Sequence, residues 1–178
     1  ARLLDGDHPV ASATASAPLA REAQTPVTVA AARAAEERYE GLSDHPFPTC
    51  FSCGTARDPD DALCLRPGPL DDESGRYATS WIPREASVPL VWAALDCPGG
   101  WSAGIAGRPM VLGTMTTEVS ALPEPGVAHT VLAWHRGSQG RKHFSGSALF
   151  APDGRVLARA EATWIAVDPT TIRPREIS

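Results

Sequence analysis

Apolar residues recur every three or four positions between residues 87 and 96, which is the spacing of one buried helical face. The residues on this face are Val88, Val91, Trp92 and Leu95. Ser87 precedes them and is a residue type that caps helix N-termini. Asp96 follows them, shortly before Pro98. The pattern predicts a largely buried helix that carries one carboxylate near its far end.

Strand-like patterns lie on both sides of this helix. Two short ones precede it, at residues 62–66 and 76–82, and four longer ones follow it, at residues 110–122, 127–135, 143–150 and 156–167. Clusters of Gly, Pro, Ser and Asp separate the later segments, which indicates turns. Such short connections predict a consecutive antiparallel meander after the helix.

The first 42 residues are predicted to form an appendage. They show a strand hairpin pattern at residues 3–13, a linker composition at residues 15–27 and an Ala-rich helix at residues 29–39. An isolated hairpin is marginal in water, so this one needs a sheet to join. We therefore divide the chain into an N-terminal hairpin, linker and helix at residues 1–42 and a main domain at residues 43–178. The alternative is that residues 1–42 end a preceding half of the same kind.

Composition narrows the range of partners. The chain of 178 residues is 43% apolar, which is enough for one substantial core. Its net charge of −5 and the lack of a basic run argue against nucleic acid, because phosphate binding depends on clustered Lys and Arg. No apolar run approaches the roughly 20 residues that span a bilayer, and no signal-peptide pattern opens the chain. We expect a cytoplasmic protein without a membrane span.

The order of two strands, a helix and four strands resembles the hotdog fold, in which a curved antiparallel sheet wraps around a central helix. The segment Ala94-Leu95-Asp96 is similar to the one that carries the catalytic acid in acyl-CoA thioesterases of that superfamily. The resemblance covers residues 44–167. The segments HPFPTCFSCG (residues 45–54) and LDCPGG (residues 95–100) also resemble uncharacterised thioesterase-like hotdog proteins of actinobacteria. The resemblance implies an α+β hotdog domain with an N-terminal strand and helix appendage.

The resemblance also implies a function, the hydrolysis of an acyl-CoA or related acyl thioester. Asp96 would act as general base or as nucleophile. Ser87 and Thr116 are candidates to stabilise the developing charge on the thioester oxygen. Thioesterases of the phenylacetic-acid type open this helix with His-Gly-Gly, whereas this chain has Ala-Ser-Val-Pro at residues 86–89. A non-catalytic acyl-binding or ligand-binding hotdog module is therefore the alternative.

Asp96 also has a purely structural interpretation. In a continuous helix, the ring of Pro98 would clash with the carbonyl of Ala94. Asp96 would then cap a second, short helix through Trp101 and Ala103. The sequence favours the catalytic and the capping role equally, and one residue can fulfil both.

Basic residues lie close together between two of the later strands. They are Arg136, Arg141, Lys142 and His143, and they suit the phosphates of CoA, with a solvated turn as the alternative. Val88 and Trp92 on the helix are further candidates for substrate contact. Because hotdog proteins usually build their acyl tunnel between two units, and a single sheet leaves an edge open, we expect a homodimer or a pair of hotdog halves.

The chain has four cysteines, of which Cys50 and Cys53 have the tight spacing that lets two thiolates bind one Zn²⁺. Two further ligands would have to come from His45, Cys64, Cys97 or a carboxylate. The alternatives are a Pro-rich loop with two reduced thiols, or a redox pair that lacks its usual strand and helix context. No cofactor is expected from the sequence, with a structural zinc as the alternative.

Overall fold

The computed structural model describes residues 1–20 and 23–170. Its elements are β1 (Arg2–Asp5), β2 (His8–Ser12), α1 (Val29–Glu36), β3 (Gly68–Pro69), β4 (Arg76–Trp81), α2 (Val88–Ser102), β5 (Met110–Val119), β6 (His129–Gln139), β7 (Lys142–Phe150) and β8 (Val156–Ala166). A 3₁₀ turn at Glu40–Leu42 follows α1. Residues 21 and 22 of the predicted linker and residues 171–178 of the predicted main domain lie outside the described part.

The six strands β3 to β8 form one antiparallel sheet in the order β3-β4-β6-β7-β8-β5. Strands β6, β7 and β8 form the predicted meander, but β5 pairs with β8 rather than with β6. The prediction of a four-strand meander is therefore wrong for β5. The C-terminal half of α2 packs against β7 and β8, so the strand that follows it reaches the sheet edge beside β8, where Met110 pairs with Ala166.

The strand predicted at residues 62–66 is also wrong, since β3 is a two-residue strand at Gly68–Pro69. The backbone N–H groups of Leu63 and Leu65 donate to the carbonyls of Phe51 and Ser52 instead of to a sheet partner. The backbone of this segment therefore holds the cysteine-containing loop, while the side chains of Leu63 and Leu65 pack into the core beside Val91, which accounts for the alternation of apolar residues.

Helix α2 packs across the sheet against β4, β5, β6, β7 and β8. Val91 and Leu95 are fully buried against Val131 of β6 and Leu149 of β7. Val88 and Trp92, predicted on the same face, lie at its margin and are 48% and 38% exposed. The predicted helix is thus confirmed, with a buried stripe narrower than the pattern indicated.

The helix does not end at Pro98, as the capping interpretation of Asp96 required, but runs through it to Ser102. Pro98 has no N–H to donate to the carbonyl of Ala94. Hydroxyl groups from outside the helix donate hydrogen bonds to the carbonyls of the two residues that flank Ala94. Ser52 Oγ donates to Ala93 O at 2.6 Å, and Ser147 Oγ donates to Leu95 O at 2.7 Å. Asp96 therefore lies inside α2 and caps no second helix.

Two glycines let the end of α2 approach the sheet closely. A Cβ atom on Gly99 would lie 2.6 Å from Ser145 Oγ, and one on Gly100 would lie 3.1 Å from the ring of Trp164. Only residues without a side chain allow β7 and β8 to come this near. The close approach fixes the position of the helical turns that carry Asp96 and its neighbours.

The N-terminal elements differ in how they pack. Helix α1 is capped by Thr28, whose Oγ1 accepts the Ala31 N–H at 3.1 Å, and it buries Ala32 and Ala35 against β4 and β6. It ends at Glu36, earlier than predicted. The hairpin of β1 and β2 is exposed throughout and pairs with no other described strand. None of the helices in residues 1–20 and 23–170 has the length and apolar character needed to cross a membrane.

Candidate functional site

A cavity of about 200 Å³ lies beside the C-terminal half of α2. We call it the Asp96 cavity, and it is lined by His45, Phe47, Cys50, Cys53, Asp96, Cys97, Trp101, Ile105, Met110, Val111, Leu112 and Trp164. The walls come from the cysteine-containing loop, α2, the start of β5 and the end of β8. Most of the lining is apolar, so the cavity suits an apolar group held next to one carboxylate.

Asp96 is the carboxylate of this cavity, and its position follows from the continuation of α2 through Pro98. Its Oδ1 atom is buried and has no hydrogen-bond partner within the described part of the chain. Burial raises the pKa of Asp96 to about 7, and the negative charge of nearby Cys50 contributes in the same direction. Such a carboxylate is a stronger base than an exposed aspartate, and its unbonded oxygen can accept a proton from a water or a substrate.

The other two catalytic candidates lie elsewhere. Neither Ser87 nor Thr116 is among the described residues that line the Asp96 cavity. Ser87 occupies the N-cap position of α2, about two and a half turns and about 13 Å along the axis from Asp96. Thr116 lies in β5 opposite Glu161 of β8. A single chain therefore does not bring these three residues into one site.

Two of the predicted substrate contacts lie on the exposed side of α2. Val88 and Trp92 are partly exposed on its first two turns and do not belong to the described cavity lining. Val111 and Leu112, at the start of β5, do line the cavity and are also 40% and 39% exposed. Because β5 is an edge strand of the six-stranded sheet, one wall of the cavity lies next to exposed apolar surface at an open sheet edge.

The predicted phosphate-binding residues have three different environments. Arg136 is half-buried and forms an ion pair with Glu161, at 2.7 Å between Nη1 and Oε1. Arg141 and Lys142 are exposed at the turn between β6 and β7. His143 is buried, with Nδ1 2.7 Å from Ser138 Oγ, and burial lowers the pKa of its imidazole. Of the four predicted phosphate-binding residues, Arg141 and Lys142 are therefore the two that present a positive charge to solvent.

Three cysteines converge at the wall of the Asp96 cavity. The Sγ atoms of Cys50, Cys53 and Cys97 all lie within 4.8 Å of one another, and those of Cys50 and Cys97 are 3.4 Å apart. Hydrogen bonds donated by the two other thiols lower the pKa of Cys50, and the same bonds raise the pKa of Cys53 and of Cys97. Cys64, also considered as a ligand, is outside this group of described residues.

Sequence reasoning missed the aromatic residues around these thiols. Trp101 Nε1 donates to Cys53 Sγ at 3.4 Å, and Tyr39 Oη donates to the Cys53 carbonyl at 2.8 Å. The Tyr39 and Trp101 rings are in edge contact, with centroids 4.7 Å apart. A buried tryptophan in a helix is usually part of the core, and Trp101 is that too, so its pattern gives no sign that its N–H reaches a sulfur.

Comparison with known proteins identifies the fold. No family model matches the chain, and no curated protein does either. Among solved structures, the E. coli PaaI protein from the phenylacetic acid degradation operon matches with a TM-score of 0.55 at 11% identity, over 64% of this chain and 87% of that one. A Streptococcus mutans protein bound to acetyl CoA matches with a TM-score of 0.50 at 10% identity, over 55% and 86%.

The thioesterase superfamily protein RHA08564 matches with a TM-score of 0.52 at 16% identity, over 60% of this chain. The match covers 57% of the length of that protein. Identities this low carry the fold and not the activity. The chain therefore has the α+β hotdog fold of thioesterase superfamily proteins, with an antiparallel six-stranded sheet packed on a central helix.

Proposed function

We propose that this chain hydrolyses the thioester of an acyl-CoA or a related acyl carrier, with Asp96 as general base or nucleophile. The observation that carries the proposal is the Oδ1 atom of Asp96, which is buried without a hydrogen-bond partner within the described part of the chain, beside an apolar cavity. A buried carboxylate in such a position is costly for folding, and a reaction that uses its free oxygen accounts for it.

The geometry fits two routes. In the first, Asp96 takes a proton from a water molecule while the water oxygen attacks the thioester carbonyl. The C–S bond then breaks, and the thiolate leaves and takes up the proton. In the second, the Asp96 carboxylate attacks the carbonyl itself, the C–S bond breaks and the thiolate leaves, and water later hydrolyses the resulting mixed anhydride to the free acid and the Asp96 carboxylate. In both routes the apolar wall of the Asp96 cavity holds the acyl group next to the carboxylate.

The oxyanion would be stabilised by donors from a second copy of the chain. Ser87 and the first amides of α2 lie too far from Asp96 of the same chain to act on one substrate. The open edge at β5 exposes Val111 and Leu112 beside the cavity, which favours pairing of two copies along this strand. We therefore propose a homodimer in which the Asp96 cavity of each copy is completed by the other.

A non-catalytic module that binds acyl groups is the second candidate. The observation that favours it is the placement of Ser87 and Thr116 outside the described cavity lining, which leaves one chain without the expected oxyanion donors. In that case the Asp96 cavity would still hold an apolar group. Tight retention of acyl-CoA without CoA release is the result that would distinguish this candidate from the enzyme.

The test is CoA release from a panel of short, medium, long and aromatic acyl-CoAs. Replacement of Asp96 by Asn removes the base and the nucleophile at constant volume, and we expect the rate to fall by about 10²- to 10⁴-fold. Asp71→Asn, at an exposed position between β3 and β4, is the matched control and should leave the rate unchanged. Full activity of Asp96→Asn would contradict the assigned role. A monomer in light scattering would contradict the proposed pairing.

A further inference from the structure

The three sulfurs at the wall of the Asp96 cavity have the separation of donors around one metal ion. A zinc ion holds thiolates at about 2.3 Å, which places sulfurs of a tetrahedral site about 3.8 Å apart. The Sγ atoms of Cys50, Cys53 and Cys97 are all within 4.8 Å of one another, and those of Cys50 and Cys97 are 3.4 Å apart. Small rotations of the side chains would bring all three to the ideal spacing.

N–H groups are directed at one of these sulfurs. Trp101 Nε1 donates to Cys53 Sγ, and His45 Nε2 lies at the same distance of 3.4 Å from that atom. His45 Nδ1 accepts the N–H of Phe47 at 3.0 Å, so a neutral His45 carries its proton on Nε2, which lies 3.1 Å from the Cys53 carbonyl oxygen as well as 3.4 Å from the sulfur. The indole N–H of Trp101 and the imidazole N–H of His45 therefore both reach Cys53, and N–H donors of this kind stabilise a thiolate once it binds a metal ion.

Thiolates at this site would have no cationic partner among the described residues around the Asp96 cavity. Among the described residues that line the Asp96 cavity, none is a lysine or an arginine, and Asp96 adds a further acidic group. Clustered buried thiols can therefore ionise together only if a cation joins them. Thiolates are soft ligands that select zinc or copper(I), while iron–sulfur clusters usually need four cysteines.

We propose that Cys50, Cys53 and Cys97 bind one Zn²⁺ as thiolates at the wall of the Asp96 cavity. The ion displaces the thiol protons as it binds. Trp101 holds the Cys53 sulfur through N–H donation, and His45 Nε2 holds the Cys53 backbone through the carbonyl oxygen, as groups around metal ligands commonly do. Because the proton on Nε2 keeps His45 from being a ligand, one coordination position remains for a water molecule from the cavity.

The proposed ion would fasten a loop to the central helix. Cys50 and Cys53 belong to a segment without regular strands or helices, and Cys97 belongs to α2. A shared zinc would fix the loop wall of the Asp96 cavity relative to Asp96, whether or not the chain hydrolyses thioesters. The proposal therefore stands apart from the proposed function and has its own measurement.

The test is the zinc content of the full chain, purified anaerobically with a reductant and without chelators. We expect about one zinc per chain, and loss of that zinc in Cys53→Ser and Cys97→Ser. Cys64→Ser is the matched control, because Cys64 is a half-buried cysteine outside the cluster, and this variant should keep its zinc. Circular dichroism of each variant shows whether it has folded.

A second measurement keeps the proposal testable if the cysteine variants do not fold, because it uses the wild-type chain. Cobalt(II) bound to the wild-type chain should give a thiolate-to-metal charge-transfer band in the near ultraviolet and the visible bands of a tetrahedral site. Trp101→Phe keeps most of the ring packing and removes the N–H, so we expect zinc affinity to fall by about tenfold or more in competition with a chelator.

Three results would overturn the proposal. The first is a wild-type zinc content no higher than that of Cys97→Ser, together with no cobalt charge-transfer band. The second is iron or copper in place of zinc in the freshly purified chain. The third is a disulfide between Cys50 and Cys97, detected as the loss of two hydrogens by mass spectrometry in protein that was never exposed to air.

Discussion

Two groups of residues differ in how distance along the chain relates to distance in space. One is the cysteine cluster of Cys50, Cys53 and Cys97, and the other is the basic hairpin of Arg136, Arg141, Lys142 and His143. Cys97 lies far in sequence from Cys50 and Cys53, yet the three sulfurs lie within 4.8 Å of one another. Arg136 and His143 lie close in sequence, yet one is paired with Glu161 and the other is buried beside Ser138. The candidate site is therefore built from distant segments, and the residues that look clustered in the sequence are dispersed.

Local geometry explains both outcomes. Along a strand, neighbouring side chains point to opposite faces, so exposed Lys142 and buried His143 at the start of β7 cannot serve one patch. The cysteines meet because the cysteine-containing loop packs on α2, where Ser52 Oγ donates to the Ala93 carbonyl and Cys53 lies beside Trp101. Packing of one element on another decides which residues share a site. Closeness in sequence predicts which residues share a site only within one helical face or one turn.

The largest expected effect on stability comes from Gly100→Val, which tests the close packing of α2, the helix that carries Cys97, on the sheet. A side chain at this position meets the ring of Trp164, because its Cβ atom alone would lie 3.1 Å away, so α2 must move away from β8. We expect the free energy of unfolding to fall by about 1–3 kcal/mol, with part of the effect from overpacking and part from displacement of Cys97. Urea denaturation followed by fluorescence measures this loss.

Gly107→Val is the control for that experiment. Gly107 lies in the loop before β5, where a Cβ atom would meet nothing within 4 Å and the φ angle is not in the left-handed region. Its urea midpoint should stay at the wild-type value. Equal urea midpoints for the Gly100 and Gly107 variants would show that the close approach of α2 to β8 does not stabilise the fold.

A smaller effect is expected from Ser147→Ala. The Ser147 hydroxyl donates to the carbonyl of Leu95, directly before Asp96, at 2.7 Å in a buried setting. Loss of this bond should lower the free energy of unfolding by about 1 kcal/mol. Ser120→Ala, at an exposed position after β5, is the control and should have no measurable effect. A stability loss of the same size in both variants would mean that the bond to α2 contributes nothing specific.

The sequence predicts the elements of this fold better than their pairing. The periodicity at residues 87–96 reflects the burial of one helical face, and the apolar content of β6, β7 and β8 reflects burial within the sheet. Both signals can be read from each segment alone. The position of β5 next to β8 depends on where α2 ends against the sheet, and no segment records that alone. The false strand at residues 62–66 arose because Leu63 and Leu65 alternate with more polar residues as they pack into the core beside Val91, although the segment is a loop.

The candidate site is likewise predictable where one segment carries the signal and not where two segments must pack together. Asp96 stands out in the sequence as a lone carboxylate in an apolar helix, and the spacing of Cys50 and Cys53 stands out as a ligand pair. The sequence left Cys97 as one of several further donors, because only the packing of the loop on α2 brings it to that pair. Trp101 could not be recognised as a donor to sulfur, since its indole has the buried position of an ordinary core residue.

The smallest expected effect tests the basic hairpin, and it applies if the chain acts on acyl-CoA as proposed. Arg141→Ala combined with Lys142→Ala removes two exposed cations and should raise KM for the best acyl-CoA by about two- to fivefold, because exposed charge pairs contribute little. The difference should shrink at high ionic strength as salt screens these charges. Arg136→Ala should change KM less, since Glu161 already occupies its guanidinium. If Arg136→Ala has the larger effect on KM, then the half-buried Arg136 contacts the phosphates. The residues of the basic hairpin would then act together at one site, as the three cysteines do.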